Sequence, residues 1–374
     1  SILHFAQLRN ADVLTTADGK GLVSSQHPLF QGVFGFGGHK RALSIINDPA
    51  IDLILAIGVN LGEWNSCGWN EALLGKRLIH IDEIARHFIR TPMAALHVQG
   101  RISSIFEYLV NFCMNEAYST PYFRKTPESV AGSGLLGITS TIHALIESPE
   151  AYQSDAVPLK PQRIMKELGE LFPPGTRFFA DSGNSFFWAT HYLHPMDRRV
   201  AERRFEPSER EALLGRRGRE GSCLRVVTQF APMGWAIGAS VGTAFANQDI
   251  PVVCITGDGS MLMNGQEVST AVAERLTIVF VILNDAGYGM VRHGQQLAKA
   301  ERIASELPET DFAAFARALG AEGYTIKHPK DFQALDISYI IKRKGPTVLD
   351  VWVDRDEISP IKERVKALLC ADKS

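Results

Sequence analysis

Two short polar stretches carry the residues best suited to chemistry: Gly257-Asp258-Gly259, with Ser260 next, and Asn284-Asp285, 24 residues after the Gly-Asp-Gly. Two acidic side chains brought together with glycine-rich backbone suit a hard divalent ion that also grips a phosphate. Magnesium usually takes one or two carboxylates and completes its octahedron with water and phosphate oxygens. Glycines let backbone N–H groups come close to phosphate oxygens. A Gly-Asp-Gly alone is a weak signal, and the elements around it make it a stronger one. Residues 250–256 (IPVVCIT) and 276–283 (LTIVFVIL) are β-branched, apolar runs, as strands buried on both faces should be. Residues 265–275 (GQEVSTAVAER) have the length and polarity of a helix, and Gly257-Asp258-Gly259 reads as a tight turn. Strand, helix and strand form a parallel crossover with both strand ends side by side. Asp258 then lies at the carboxyl end of one strand and Asn284 and Asp285 at that of the next. That edge is where open α/β sheets hold ligands.

Three further stretches belong to the same edge. Residues 177–181 (RFFAD) read as a strand, followed by Ser182-Gly183-Asn184-Ser185 and an aromatic helix at 186–192. Asn184 or Ser185 alone reads as the helix N-cap; a helix N-terminus at a sheet's carboxyl edge is also an anion site. Residues 224–228 (LRVVT) form a strand, 229–234 (QFAPMG) a loop, and 235–245 a helix in which Gly238 and Gly242 allow close packing. Met233 by itself is a core-filling methionine. After Asn284-Asp285 come Gly287-Tyr288-Gly289-Met290 and, at the end, a strand at 347–353 (TVLDVWV) and a helix at 359–369.

The Gly-Asp-Gly and the Asn pair position roughly 25 residues later resemble the signature of thiamine-diphosphate enzymes. The surrounding chain resembles the acetolactate synthase large subunit and its carboligase and decarboxylase relatives. The resemblance extends to Thr15-Thr16, Gly19-Lys20-Gly21, His27-Pro28-Leu29, residues 32–39, 52–58 and 80–82, which match that family's central domain. It implies two Rossmann-like parallel-sheet domains: a truncated central domain at 1–112, a linker at 113–158, and a doubly wound diphosphate-binding domain at 159–374. It implies thiamine diphosphate and Mg²⁺ as cofactors. Asp258, Asp285 and the Gly287 carbonyl would be the metal ligands. Asn184, Ser185, Gly257, Gly259, Ser260, Gly287 and Tyr288 would surround the cofactor. Met233 would wedge it into its bent form, and the Ala231 carbonyl would accept from its aminopyrimidine. Met290 and Val291 would line the substrate pocket, with a 2-oxo acid or aldehyde as substrate.

Several departures from the family pattern bear on function. Asp285 stands where relatives commonly carry Asn. Asn284 is expected to be structural rather than a ligand. Gly294 replaces a tryptophan that shapes the acceptor pocket of acetolactate synthases. In flavin-carrying relatives the central domain binds FAD, and Gly35 to His39 and Asp82 could be remnants of that site; residues 59–70 (VNLGEWNSCGWN) replace the arginine- and aspartate-rich flavin segment, so FAD is not expected. The activating glutamate belongs to a pyrimidine domain that is not in this chain. The chain therefore reads as an amino-terminally truncated piece or half of a split enzyme, inactive alone. It is expected to work as a homodimer or homotetramer with the pyrimidine domain of the same or another chain. The alternative is a non-catalytic cofactor- or partner-binding paralogue. A nicotinamide dehydrogenase is disfavoured, because no GxGxxG follows a first strand.

Composition fits this frame. The chain has 374 residues, 45% hydrophobic and 21% charged, enough for two sizeable cores. A net charge of −2 gives no reason to expect nucleic acid or an anionic membrane as a partner. The five cysteines lack CxxC spacing, so disulfides and zinc are disfavoured and a reducing cytoplasm is expected. No apolar run reaches the length of a membrane span. Residues 113–158 read as irregular from their prolines and Gly-Ser-Gly, and 197–221 as a charged loop that could close over substrate.

Overall fold

The computed structural model describes residues 1–75, 77–117, 145–195 and 223–371. The chain divides into two compact units. One comprises Ser1–Thr16 with Ser25–Leu145, and the other Ala17–Ser24 with Ile146–Ser374. Both are built on parallel sheets, as the alternation of apolar runs and amphipathic segments requires.

In the first unit a helix at Ile2–Arg9 precedes β1 (Val13–Thr15), which pairs in parallel with β2 (Phe30–Val33). β3 (Leu53–Ile57), β4 (Arg77–Asp82) and β5 (Leu96–Gln99) form a second parallel sheet. The residues replacing the flavin segment fold onto the glycine turn: Phe36 N donates to the Trp64 carbonyl at 3.0 Å. A side chain at Gly35, whose φ is +108°, would reach within 2.5 Å of that carbonyl. The helix Ile102–Ala117 runs across residue 112, so the boundary expected there falls inside a continuous element. The prolines at 121 and 127 and the Gly-Ser-Gly at 132–134 lie outside the described residues, as does the charged stretch 197–221.

The second unit holds one six-stranded sheet, all parallel, in the order β10-β11-β9-β8-β6-β7. Its strands are β6 (Arg177–Ala180), β7 (Leu224–Arg225), β8 (Val252–Gly257), β9 (Ile278–Asn284), β10 (Glu322–Ile326) and β11 (Thr347–Trp352). Every residue of β9 is buried, which explains its unbroken apolar run. Phe280 at its middle is wholly buried. Burial of one such side chain stabilises by about 1.5–3 kcal/mol. The core cluster continues through Phe179, Ile237, Val252, Cys254, Ile282 and Phe312. Lys20 belongs to this unit: its buried ammonium donates to the carbonyls of Ala189 and Thr190, in the last turn of the helix Asn184–Tyr192. A cation there meets the negative end of the helix dipole. Among the described residues no helix is long and apolar enough to cross a membrane.

Two local expectations are corrected. Asp258 does not sit in a tight turn; it is the first residue of a helix, Asp258–Asn264, and a 3₁₀ turn plus the helix Val268–Ala273 complete the crossover. Gly257 ahead of it is extended (φ −92°, ψ 163°), so no left-handed turn is needed. Among the described residues, Gly238 and Gly242 serve no close packing. A Cβ built at either meets nothing within 4 Å, and Phe245 on the same helix is 59% exposed.

Candidate functional site

The site is assembled by sheet order. From β6 the chain moves to β7 on one side and then to β8 on the other, so strand order reverses between β6 and β8. A crevice opens at such a point, beyond the carboxyl ends of the strands. Three strand ends meet along that edge: Asp181 after β6, Asp258 after β8, and Asn284 and Asp285 at the end of β9. The register pairs Gly257 with Leu283, which sets Asp258 level with Asn284.

Asp258 is 4% exposed and accepts two backbone hydrogen bonds, from Gly259 N at 2.7 Å and Gly287 N at 2.9 Å. Burial nevertheless pushes its carboxyl above the usual carboxylate range, against the pull of those donors. Asp285 follows the same logic more strongly. Burial and then the Asp258 charge push it up to about 7, although Arg292 works in the opposite direction. Arg292 Nη2 donates to Asp285 Oδ2 at 2.5 Å. The pair of acids is thus held against its own repulsion, and a cation between them relieves the penalty. Gly287 joins them through a single antiparallel bridge to Glu306, formed by Tyr288 N to the Ser305 carbonyl and Leu307 N to the Ala286 carbonyl. Neither bond uses the Gly287 carbonyl.

Close approach explains the glycines better than backbone freedom does. A Cβ on Gly259 would lie 2.7 Å from the Tyr288 ring and 3.2 Å from Met233 Cε. One on Gly289 would lie 2.4 Å from Asp285 Oδ2 and 2.6 Å from Asn184 Nδ2, so Asn184, Asp285 and Gly289 converge. One on Gly257 would meet nothing within 4 Å. Ser260 Oγ is buried without a hydrogen-bond partner among the described residues.

The expected cap is corrected. Gly183 is the N-cap of the helix Asn184–Tyr192, and no side chain caps it. Ser185 Oγ instead donates back to the Asp181 carbonyl at 3.2 Å. Asn184 Oδ1 accepts from Ser359 Oγ at 2.7 Å, and its Nδ2 faces His293 Nδ1 at 3.4 Å. Burial holds His293 below its ordinary pKa, so the ring is neutral. With Nε2 donating to the Arg355 carbonyl at 3.0 Å, Nδ1 is left as the acceptor for the Asn184 amide.

Met233 is 37% exposed, against Gly259. Its position is fixed by Gly234, whose φ is +87°, and by Asp181. Asp181 is wholly buried and accepts from Gly234 N at 2.8 Å, Ala236 N at 3.3 Å and Thr256 Oγ1 at 3.0 Å. The Ala231 carbonyl accepts from Ser182 Oγ at 2.8 Å and keeps a second lone pair. Asn284 is structural, as expected: its amide donates to Asp350 Oδ1 at 2.9 Å and to the Thr310 carbonyl at 3.1 Å. Met290 is half-buried and Val291 exposed, on the helix Gly289–Leu297.

This edge joins a buried acid and a part-buried one, an orphaned hydroxyl and a half-exposed methionine. The model of the thiamine pyrophosphate enzyme C-terminal TPP binding domain matches residues 215–351, and that of the central domain of the same enzymes matches residues 1–109. The chain belongs to the thiamine pyrophosphate enzyme family. Relatives of this TPP enzyme chain include the Mycobacterium tuberculosis "Putative acetolactate synthase large subunit IlvB2", 27% identical over 96% of this chain and 58% of the relative. The acetolactate synthase large subunit of Porphyra purpurea is 25% identical over 95% and 54%. That of Haemophilus influenzae is 26% identical over 95% and 56%. The chain spans about half the length of the curated relatives it matches.

The donor set fits the cofactor of this TPP enzyme family and a hard ion. Among the described residues no three or more His, Cys, Asp or Glu side chains gather as a metal cage. Two carboxylates with room for other oxygens are what magnesium takes when phosphate supplies the rest. Sequence reasoning missed Asp181, Arg292 and His293. For Asp181 the only local signal was an acid ending an apolar strand, and for Arg292 a charge on a buried helix face.

Proposed function

We propose that this chain is the diphosphate-anchoring part of a thiamine-diphosphate- and Mg²⁺-dependent enzyme that decarboxylates or ligates 2-oxo acids. The observation that carries this reading is the Asp258–Asp285 pair, brought together at the carboxyl edge of β8 and β9 with both carboxyls pushed up. Asp258, Asp285 and the Gly287 carbonyl would hold the ion. Asn184, Gly257, Gly259, Ser260 and Tyr288 would surround the diphosphate, while Ser185 is turned back into its own helix. When bound, thiamine diphosphate supplies the carbanion and electron-sink chemistry. Met233, braced by Gly234 and Asp181, would press on the cofactor, and the Ala231 carbonyl would accept from its aminopyrimidine. The activating glutamate would come from a pyrimidine domain of the same or another chain, in a homodimer or homotetramer. The exposed helix face with Gly238, Gly242 and Phe245 is compatible with such a partner. A cytoplasmic setting suits cysteines that form no disulfide among the described residues. FAD has little support in the first unit, where Trp64 sits over the glycine turn and Asp82 is occupied by its own neighbours.

On this reading the substrate side would be wider than a tryptophan at 294 would leave it. A Cβ built at Gly294, one helical turn after Met290, meets nothing within 4 Å. We therefore assign a 2-oxo acid substrate with a side chain larger than methyl. The test is CO₂ release by the full-length protein, supplied with the pyrimidine domain, from 2-oxo acids of increasing side-chain size. Turnover rising with size, and lost for the larger substrates in Gly294→Trp, is the expected result. Binding of cofactor with no CO₂ from any 2-oxo acid would favour the non-catalytic paralogue instead.

A further inference from the structure

Arg292 is 1% exposed and lies in the first turn of the helix Gly289–Leu297, where a cation meets the positive end of the helix dipole. Something must compensate for so unfavourable a placement. Its Nη2 bonds Asp285 Oδ2 at 2.5 Å and the Arg355 carbonyl at 3.1 Å. Its Nη1 packs on Gly287, where a Cβ would come within 2.5 Å of it. Nε and Nη1 have no hydrogen-bond partner among the described residues. A guanidinium this enclosed cannot swing away, so Asp285 Oδ2 is permanently engaged and only Oδ1 remains to turn elsewhere.

We propose that Arg292 is the positioning residue for Asp285, resting on the reading of Asp258 and Asp285 as metal ligands. It pins one carboxylate oxygen so that the other faces the ion, and it cancels the charge that an aspartate brings. Asp285 with Arg292 carries the same net charge as a neutral amide alone. Asp258 is then the one uncompensated anion of the ligand set. Groups that orient a metal ligand from behind typically cost 10–100-fold in metal affinity when removed.

The experiment is a double-mutant cycle on the full chain with its pyrimidine domain, read by Mn²⁺ electron paramagnetic resonance at saturating thiamine diphosphate. Arg292→Met and Asp285→Asn are each expected to weaken Mn²⁺ binding by about tenfold or more. The double variant, Asn with Met, restores the charge balance and is expected to recover most of the loss. Independent effects that combine to within about twofold would overturn the proposal, because a merely structural ion pair couples in thermal stability and not in Mn²⁺ affinity. Tighter Mn²⁺ binding in Arg292→Met would overturn it too, by making Arg292 a competitor of the metal. Should a single variant fail to fold, Arg292→Lys decides. It keeps the charge but not both anchors, so weaker Mn²⁺ binding is expected, and wild-type affinity contradicts the positioning role. Wild-type protein that binds no Mn²⁺ would remove the metal reading itself, and this inference with it.

Discussion

Both units end a parallel strand in an aspartate, and the two aspartates face opposite fates. Asp82 closes β4 and is satisfied at once by its own turn: Oδ1 accepts from Ile84 N and Oδ2 from His87 Nδ1, both at 2.8 Å. Burial pushes its carboxyl up, but the His87 and Ile84 bonds outweigh that and hold it below the ordinary range. Asp258 and Asp285 close β8 and β9 in a fold element of the same kind, and burial wins there. The difference is not the number of hydrogen bonds, since Asp258 also accepts two. It is which contribution wins: burial outweighs the donors at Asp258, and at Asp285 the Asp258 charge adds to burial. A local turn can satisfy one acid, whereas two acids at adjoining strand ends keep a charge that a bound cation would relieve.

The largest effect is expected at the brace behind the site. Gly234→Ala would force a non-glycine residue to φ +87° and place its Cβ 2.5 Å from the Asn264 side chain. Strain and overpacking together should cost about 2–4 kcal/mol in urea unfolding. Next comes the direct comparison of the two edges. Asp258→Asn puts an amide NH₂ against a backbone N–H that cannot become an acceptor, costing about 1–3 kcal/mol. It should also abolish any Mg²⁺-dependent gain in melting temperature. Asp82→Asn should cost less, about 1 kcal/mol, because the His87 ring can change tautomer to accept from the new amide. It should leave the Mg²⁺ response intact. Equal losses in the two variants would break the comparison.

The last comparison is in pH dependence, where the two edges differ in sign. Asp285 has its folded pKa raised from 3.8 to about 7, so its contribution is present below pH 3.8 and is lost as pH rises through 7. Asp82 has its folded pKa lowered from 3.8, so its contribution is present above 3.8 and is lost as pH falls. Metal-free protein should therefore lose stability from about pH 4 to 7 through Asp285. Asp285→Asn should flatten that fall in chemical denaturation, while Asp82→Asn should flatten only the acid limb.

What could be read from the residues alone follows the range of the forces involved. β8 and β9 were legible because burial on both faces demands continuous apolar runs, and their ends located Asp258 and Asp285. Asn284 was legible as structural because an amide at a strand end has nearby carbonyl and carboxylate partners. Arg292 and Asp181 were not, since their roles rest on partners brought together by the sheet: Asp181 reaches Gly234 and Thr256, 53 and 75 residues away. The helical start at Asp258 was hidden by a Gly-Asp-Gly that favours a turn by propensity and is overridden by the strand-to-helix connection. Gly238 and Gly242 misled for the opposite reason, because a helix face that looks made for packing is left open in this unit.

On the proposed reading, Asp258 and Asp285 hold a divalent ion and, through it, thiamine diphosphate. Isothermal calorimetry of the full-length protein with thiamine diphosphate, in Mg²⁺ and again in excess EDTA, tests it most directly. Saturable heat in Mg²⁺, none in EDTA, and none in Mg²⁺ with Asp258→Ala are the expected results. Binding that is indifferent to EDTA, or that survives in Asp258→Ala, would contradict it.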